Sequence, residues 1–321
     1  MASFLISLPF WWDVNIFQAK LENFLFWKEM TENPAILAAK ADQEALDKKL
    51  QELWPLRRNG VQNPDIQAKA AISILSQDGV AVKKILFAKD EKAVLPVASI
   101  TKLMTASVSI KNYDLSQHVT ILKTAVEQEG DFSQFKIGET FTIKDILYPL
   151  LIESSNDAAE LLSELAGSDN FVELMNREAQ NLNLNNTYFF NATGLDQDNP
   201  SGNSNYSTAE ELVKLALFIL RENPLILEIS ANPTFDLYDS RGVLHHQLQN
   251  TNKLFRDESS SWKKLIIGSK TGWTEKSQGC LILVLKAPKN EGYIVNIILG
   301  SPDRFSDMKE LTDWVYSAFK W

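Results

Sequence analysis

Strand-like segments lie towards both ends of this chain with a long helical block between them, and that order limits the possible folds more than any other feature of the sequence. Two such runs, Ala70 to Leu75 and Val80 to Phe87, flank Ser76-Gln77-Asp78-Gly79, which predicts a hairpin with Asp-Gly at its turn. From Ser99 to about Leu227 the apolar residues recur mostly at helical spacing, as in Asp157 to Leu165 and Phe171 to Leu182. Strand character returns at Leu265 to Ser269, Leu281 to Lys286 and Tyr293 to Leu299, before an amphipathic helix over Asp303 to Phe319. A sheet made from both ends must draw them together, so the helices between project as an insertion. The expected class is α/β of the α+β kind: an antiparallel sheet of about five strands flanked by helices, with an inserted all-helical subdomain.

Composition narrows the function. A formal net charge of -9 argues against a nucleic-acid binder, which needs a basic face to neutralise phosphates. The single cysteine, Cys280, excludes an intramolecular disulfide and a zinc site built mainly from cysteines; in its apolar run it reads as a buried, inert thiol. The three histidines, His118, His245 and His246, have no neighbourhood suggesting a triad or a metal site.

Residues 1–64 are expected to stand apart from a domain over 65–321. The longest early apolar stretch, Ala2 to Trp12, contains Pro9 and is broken by Asp13, far short of the roughly 20 residues a membrane span needs. It also lacks the basic start of a secretory signal. Three readings stay open: a clipped signal or anchor, an interfacial segment using Trp11, Trp12, Phe24 and Trp27, or a helix packed on the body. Asn33-Pro34 then opens an amphipathic helix marked by Ile36, Ala39, Leu46, Leu50 and Leu53, followed by a linker from Pro55 to Pro64.

Three short elements carry chemistry. On a helix, residues three apart share a face, so the Lys102 amine can reach the Ser99 hydroxyl, a weak nucleophile unaided. Five other serines (Ser133, Ser260, Ser261, Ser306 and Ser317) also have a lysine three positions on, so this pair alone selects nothing. The second element is Ser154-Ser155-Asn156, between the apolar run ending at Ile152 and a helix start at Asp157. Its decoys are Ser201-Gly202-Asn203, Ser230-Ala231-Asn232 and Ser168-Asp169-Asn170, the last reading as the turn between two helices. The third, Lys270-Thr271-Gly272, occurs once, after the strand-like Leu265 to Ser269. There Lys270 offers positive charge, Thr271 a hydroxyl and Gly272 close backbone approach. Order decides the matter: Ser99, Ser154 and Lys270 follow at separations of 55 (154 − 99) and 116 (270 − 154), each in the context that S-x-x-K, S-x-N and K-T-G need.

The surrounding residues extend the likeness. Ala93-Val94-Leu95-Pro96-Val97-Ala98-Ser99-Ile100-Thr101-Lys102-Leu103-Met104-Thr105-Ala106, Ser154 to Ala159, Phe171 to Asn176, Asn191 to Asp196, Tyr206 to Ala209, Asn250-Thr251-Asn252 and Gly268 to Thr274 resemble the low-molecular-mass penicillin-binding proteins, the serine-type D-alanyl-D-alanine carboxypeptidases. The resemblance covers about residues 65 to 321 and implies a β-lactamase/DD-peptidase-like fold. It implies that Ser99 attacks the penultimate D-Ala carbonyl, and that Lys102, kept neutral by burial and by the charge of Lys270, takes its proton. Ser154 would relay a proton to the leaving amine and Asn156 would orient Lys102 or the substrate amide. Lys270 and Thr271 would hold the terminal carboxylate, and the backbone N–H groups of Ser99 and Trp273 would form an oxyanion hole. No metal or organic cofactor is implied. The implied partners are a peptidoglycan stem ending in D-Ala-D-Ala and, as covalent inhibitors, β-lactam antibiotics. The implied location is extracytoplasmic, on the periplasm or cell-wall side of the membrane; membrane-surface contact through the N-terminal segment belongs to the interfacial reading of its aromatic residues alone. One departure concerns the turn after the third motif: relatives tend to have Ala-Gly, and this chain has Ser277-Gln278 with Gly279 one place later.

Three rivals share parts of this pattern. A β-lactamase of the best-known form carries a glutamate roughly 35–40 residues after the second motif, where this chain reads Phe189 to Asp196 without one. A D,D-endopeptidase cutting cross-links would use the same site. A non-catalytic wall-binding module would have no need of an intact serine–lysine pair.

Overall fold

The computed structural model describes residues 54–321 apart from 80, 83, 127–133, 197–201 and 291, with a few isolated positions before residue 54. Of the expected N-terminal helix, positions 38, 41–43 and 45 are helical; its remainder and the aromatic segment lie outside the described residues. Residues 1–56 with Lys320 cluster as one unit, and Arg57–Phe319 with Trp321 as another. Within the larger unit, residues 57–64 are fastened down: Arg57 Nη2 donates to Val61 O and Asn63 Oδ1, and Trp314 Nε1 donates to Gln62 O.

The chain enters the sheet through β1 (Ala70–Ser76) and β2 (Lys84–Lys89), then passes a short β3 (Leu95–Pro96) into helix α1 (Lys102–Asn112). The insertion continues with β4 (His118–Thr120), β5 (Thr140–Thr142), α2 (Ile143–Ile152), α3 (Asn156–Glu164), α4 (Ser168–Asn181), β6 (Tyr206–Ser207), α5 (Ala209–Glu222) and α6 (Pro224–Ser230). A hairpin of β7 (Thr234–Tyr238) and β8 (Leu244–Gln249) precedes the return to the sheet. That return is β9 (Ile266–Thr274), β10 (Gln278–Lys286) and β11 (Tyr293–Ser301), closed by α7 (Arg304–Ala318). The five-stranded sheet has the order β9-β10-β11-β1-β2, antiparallel throughout, so both chain ends meet at the β11–β1 pair.

Successive side chains of a strand point to opposite faces, and here both faces are covered. On one, Ile72, Ile74, Ile282, Val284, Val295 and Ile297 join the core of the helical block. On the other, Leu75, Leu281, Leu283, Ile294 and Ile298 meet Leu311 and Val315 of α7 together with Trp262 and Phe319. This double burial explains why the strands read as unbroken apolar runs and not as alternating ones. Helix α1 passes through the helical block with every residue from Lys102 to Ser109 buried, which leaves it no polar face.

Two strand expectations shift. The second strand starts at Lys84, paired with Leu75, instead of at Val80. Its connection leans on α5 at Gly79, where a Cβ would sit 2.7 Å from Leu220. Strand β9 does not stop at Ser269 but runs through the Lys-Thr-Gly triplet, pairing Lys270, Thr271 and Gly272 with Ile282, Leu281 and Cys280. The β7–β8 hairpin has no counterpart in the sequence expectation.

Candidate active site

Ser99 stands in a 3-10 turn, Ala98–Thr101, that leads into α1. The preceding Ala98 has φ +47, a left-handed conformation costing a non-glycine residue about 1–3 kcal/mol, so its surroundings must enforce it. They do so from two sides. Val97 N donates to Asn205 O at 3.0 Å while β3 pairs with β6. Gly194, at φ +83, presses so close that a Cβ there would lie 2.2 Å from Ala98 O. From the sheet, Gly272 also approaches: a Cβ would be 3.0 Å from both Ser99 N and Val97 O. Asn205, itself buried, ties this region together, its Nδ2 donating to Thr101 Oγ1 and Asn191 O at 2.9 Å.

Lys102 is fully buried one helical turn on, with Nζ 3.0 Å from Ser99 Oγ. The same nitrogen donates to Asn156 Oδ1 at 2.7 Å and to Thr193 O at 2.6 Å. Asn156 is held at the first position of α3, whose start is capped by Ser155 Oγ accepting from Ala158 N. The residue before that cap, Ser154, adopts φ +66 at the tip between α2 and α3, and its Oγ accepts from Lys270 Nζ at 2.7 Å. Lys270 also donates to Thr271 O at 2.9 Å and is 1 % exposed. Burial, then the neighbouring charge of Lys102 and of Arg304, hold its ammonium well below the ordinary lysine range. Thr271 Oγ1 lies 2.6 Å from Thr251 Oγ1, and Trp273 is exposed.

The structure therefore brings Ser99, Lys102 and Asn156 into one hydrogen-bonded group and Ser154 with Lys270 into another, joined by the approach of Gly272 to the Ser99 backbone. Two decoys fall elsewhere: Ser168 opens α4 and donates to Glu160 Oε1, and Ser230 ends α6, donating to Leu227 O, while Ser201 lies outside the described residues. The Ser168 stretch is thus helical where a turn was expected. The departure after the third motif is absorbed locally. Ser277 Oγ accepts from Thr274 N, Gln278 takes φ +55, and Gly279 is needed because a Cβ would be 2.7 Å from Ser301 O. Sequence reasoning missed Thr193, which contributes a carbonyl that no side-chain pattern marks. It also assigned no contact to Thr251 or Asn205, although Asn250-Thr251-Asn252 stood out as a segment.

Residues 57–303 match the family model described as D-alanyl-D-alanine carboxypeptidase, peptidase family S11. The chain is 30% identical over 240 residues to a D-alanyl-D-alanine endopeptidase of Pseudomonas aeruginosa, covering 72% of this chain and 73% of that one. The fold is similar to the crystal structure of a D-alanyl-D-alanine carboxypeptidase from Mycobacterium tuberculosis, with a TM-score of 0.69 and 26% identity over 81% of this chain and 95% of the other. It is also similar to penicillin-binding protein D2 from Listeria monocytogenes in its cefotaxime-bound form, with a TM-score of 0.67, 25% identity, and coverage of 80% and 100%. With the serine–lysine pair, the Ser154 loop and the Lys-Thr-Gly strand gathered as described, this chain is a serine hydrolase that belongs to the D-alanyl-D-alanine carboxypeptidase family.

Proposed function

We propose that Ser99 is the nucleophile that forms the acyl-enzyme when the terminal D-Ala is removed from a peptidoglycan pentapeptide stem. The observation that carries this is the 3.0 Å contact between Lys102 Nζ and Ser99 Oγ in a site where Lys102 has two further acceptors. As a free amine, Lys102 gives its two N–H groups to Asn156 Oδ1 and Thr193 O, and its lone pair faces the Ser99 hydroxyl. As an ammonium it donates to all three. The proton therefore passes from Ser99 to Lys102 without moving a heavy atom, the preorganisation that general-base catalysis needs. Asn156 and Thr193 orient the amine.

Ser154, bonded to Lys270, passes a proton to the leaving amine. Lys270 and Thr271 receive the terminal carboxylate, which supplies the anionic partner that a buried lysine lacks. Gly272 lets the substrate backbone lie along β9, and the N–H groups of Ser99 and Trp273 stabilise the oxyanion, each donor contributing about 3–4 kcal/mol in other systems. Water then releases the product. β-Lactams acylate Ser99 by the same route, in keeping with the cefotaxime-bound relative.

A second reading, hydrolysis of D,D cross-links, is favoured by the naming of the Pseudomonas aeruginosa relative as an endopeptidase. Incubating the protein with a pentapeptide stem and with a cross-linked dimer, and weighing the products, separates the two. Loss of one alanine from the stem supports the first reading, and cleavage of the dimer alone the second. Both substrates lie outside the cytoplasmic membrane, so we place the enzyme there. The catalytic domain spans residues 65–321, with residues 57–64 fastened to it, and the segment before them meets the membrane surface through its aromatic residues. No helix among the described residues is long and apolar enough to cross a membrane.

A further inference from the structure

Four titratable side chains away from the catalytic lysines form a continuous chain. His245 Nε2 is 3.0 Å from Glu139 Oε2, His245 Nδ1 is 2.6 Å from His246 Nδ1, and His246 Nε2 is 3.1 Å from Glu153 Oε2. The Phe135 and Phe141 rings cover His245. Protons can be counted along it. Each Nε2 facing a carboxylate carries one, and the Nδ1–Nδ1 contact holds one more between the rings. Three ring protons satisfy every contact of the chain. A fourth would set two N–H groups head-on at a hydrogen-bond distance.

The chain ends where catalysis needs rigidity. Glu153 immediately precedes Ser154, and its second oxygen accepts from Gln249 N at 3.2 Å, while Thr251 N donates to Ile152 O at 3.1 Å. Strand β8 thus grips the C-terminal end of α2 just before the left-handed residue that meets Lys270. Charged groups of the neighbouring elements also meet this strand: Arg256 donates to Gln249 Oε1, and Asp236 on β7 accepts from Gln247 Nε2.

We propose that Glu153 and the His245–His246 pair are positioning residues for Ser154, and that their shared proton makes acyl transfer sensitive to acid. A fourth ring proton sets the two Nδ1–H groups against each other and parts the rings, His246 draws Glu153 with it away from Gln249 N, and Ser154 loses its fixed place against Lys270. This rests on the role given to Ser154 above.

The test measures the rate of acylation by a fluorescent penicillin against pH in the wild type, His246→Gln, His246→Phe and Ser154→Ala, with melting followed for each. Glutamine can still donate to Glu153 but does not titrate. His246→Gln should keep close to the wild-type rate at neutral pH, and its ratio to wild type should rise about tenfold per pH unit on the acid side. His246→Phe should be slower at neutral pH by about ten- to a hundredfold, with the half-saturating penicillin concentration unchanged. A ratio that is flat in pH, or a His246→Phe protein at the wild-type rate, overturns the proposal. A Ser154→Ala protein at the wild-type rate removes instead the reading on which it rests. Should either His246 variant fail to fold, nitrogen-15 NMR of the wild-type rings decides. One protonated and one bare Nδ1 at neutral pH, with the last protonation tracking the loss of acylation, is the expected result. Protonation and acylation changing at separate pH values overturns it.

Discussion

As the proposed nucleophile, Ser99 depends on the Lys102 amine 3.0 Å from its oxygen. Lys102 is buried and hydrogen-bonded to Ser99, Asn156 and Thr193, so its replacement removes the proposed base and leaves those groups without the amine. Lys102→Ala should lose about 10²–10⁴-fold in acylation rate while the melting transition persists, measured by labelling kinetics alongside calorimetry. Lys270 carries the opposite trade. Its proton affinity is depressed by burial and by Lys102, so below the ordinary lysine pKa of about 10.4 the unfolded chain holds a proton that the folded chain gives up. Folding stability should therefore rise with pH from the depressed value towards about 10.4. Lys270→Met should flatten that rise and leave stability equal or higher at neutral pH while abolishing carboxypeptidase activity. A denaturant midpoint followed against pH checks it. Cys280, pushed up to about 11 by burial, should stay unmodified by iodoacetamide in the native protein at pH 8 and react once the chain is unfolded.

The elements matter through the conformations they force on these residues. The left-handed Ala98 is clamped between Asn205 and Gly194. Gly194→Ala adds a Cβ within 2.2 Å of Ala98 O at a positive φ, so it should destabilise the protein by about 1–3 kcal/mol and slow acylation, as thermal melts and labelling rates would show. The sequence made the serine–lysine pair, the Ser154 tip and the Lys-Thr-Gly strand visible because each rests on side chains at short fixed spacing. It hid Thr193 because a carbonyl has no residue signature. It hid the β7–β8 hairpin because strands such as Leu244-His245-His246-Gln247-Leu248-Gln249 are polar and half-exposed, without a sustained apolar period. Strand β9 was read too short for a related reason: Lys270 and Thr271 look like surface residues, and only their pairing with β10 buries them.

At the scale of the whole catalytic unit, one sheet separates two cores, and the site belongs to only one of them. The helical-block core carries α1, α2 and α3, whose ends present Ser99, Lys102, Ser154 and Asn156. The other core, under α7, stabilises the sheet from behind. Leu311→Ala in that second core should cost about 2–5 kcal/mol, read as a lower melting temperature, yet leave the acylation rate unchanged well below the transition. The joining of early and late strands into one sheet was expected from the order of strand-like runs, and the β11–β1 pair makes it.

The central claim is that the Ser99 oxygen forms the covalent bond. Intact-mass analysis after incubation with a penicillin, followed by peptide mapping, tests it directly. One adduct per chain, mapped to Ser99 and absent from Ser99→Ala, is the predicted result. An adduct of the same mass on Ser99→Ala, or none on the folded wild type, would contradict it.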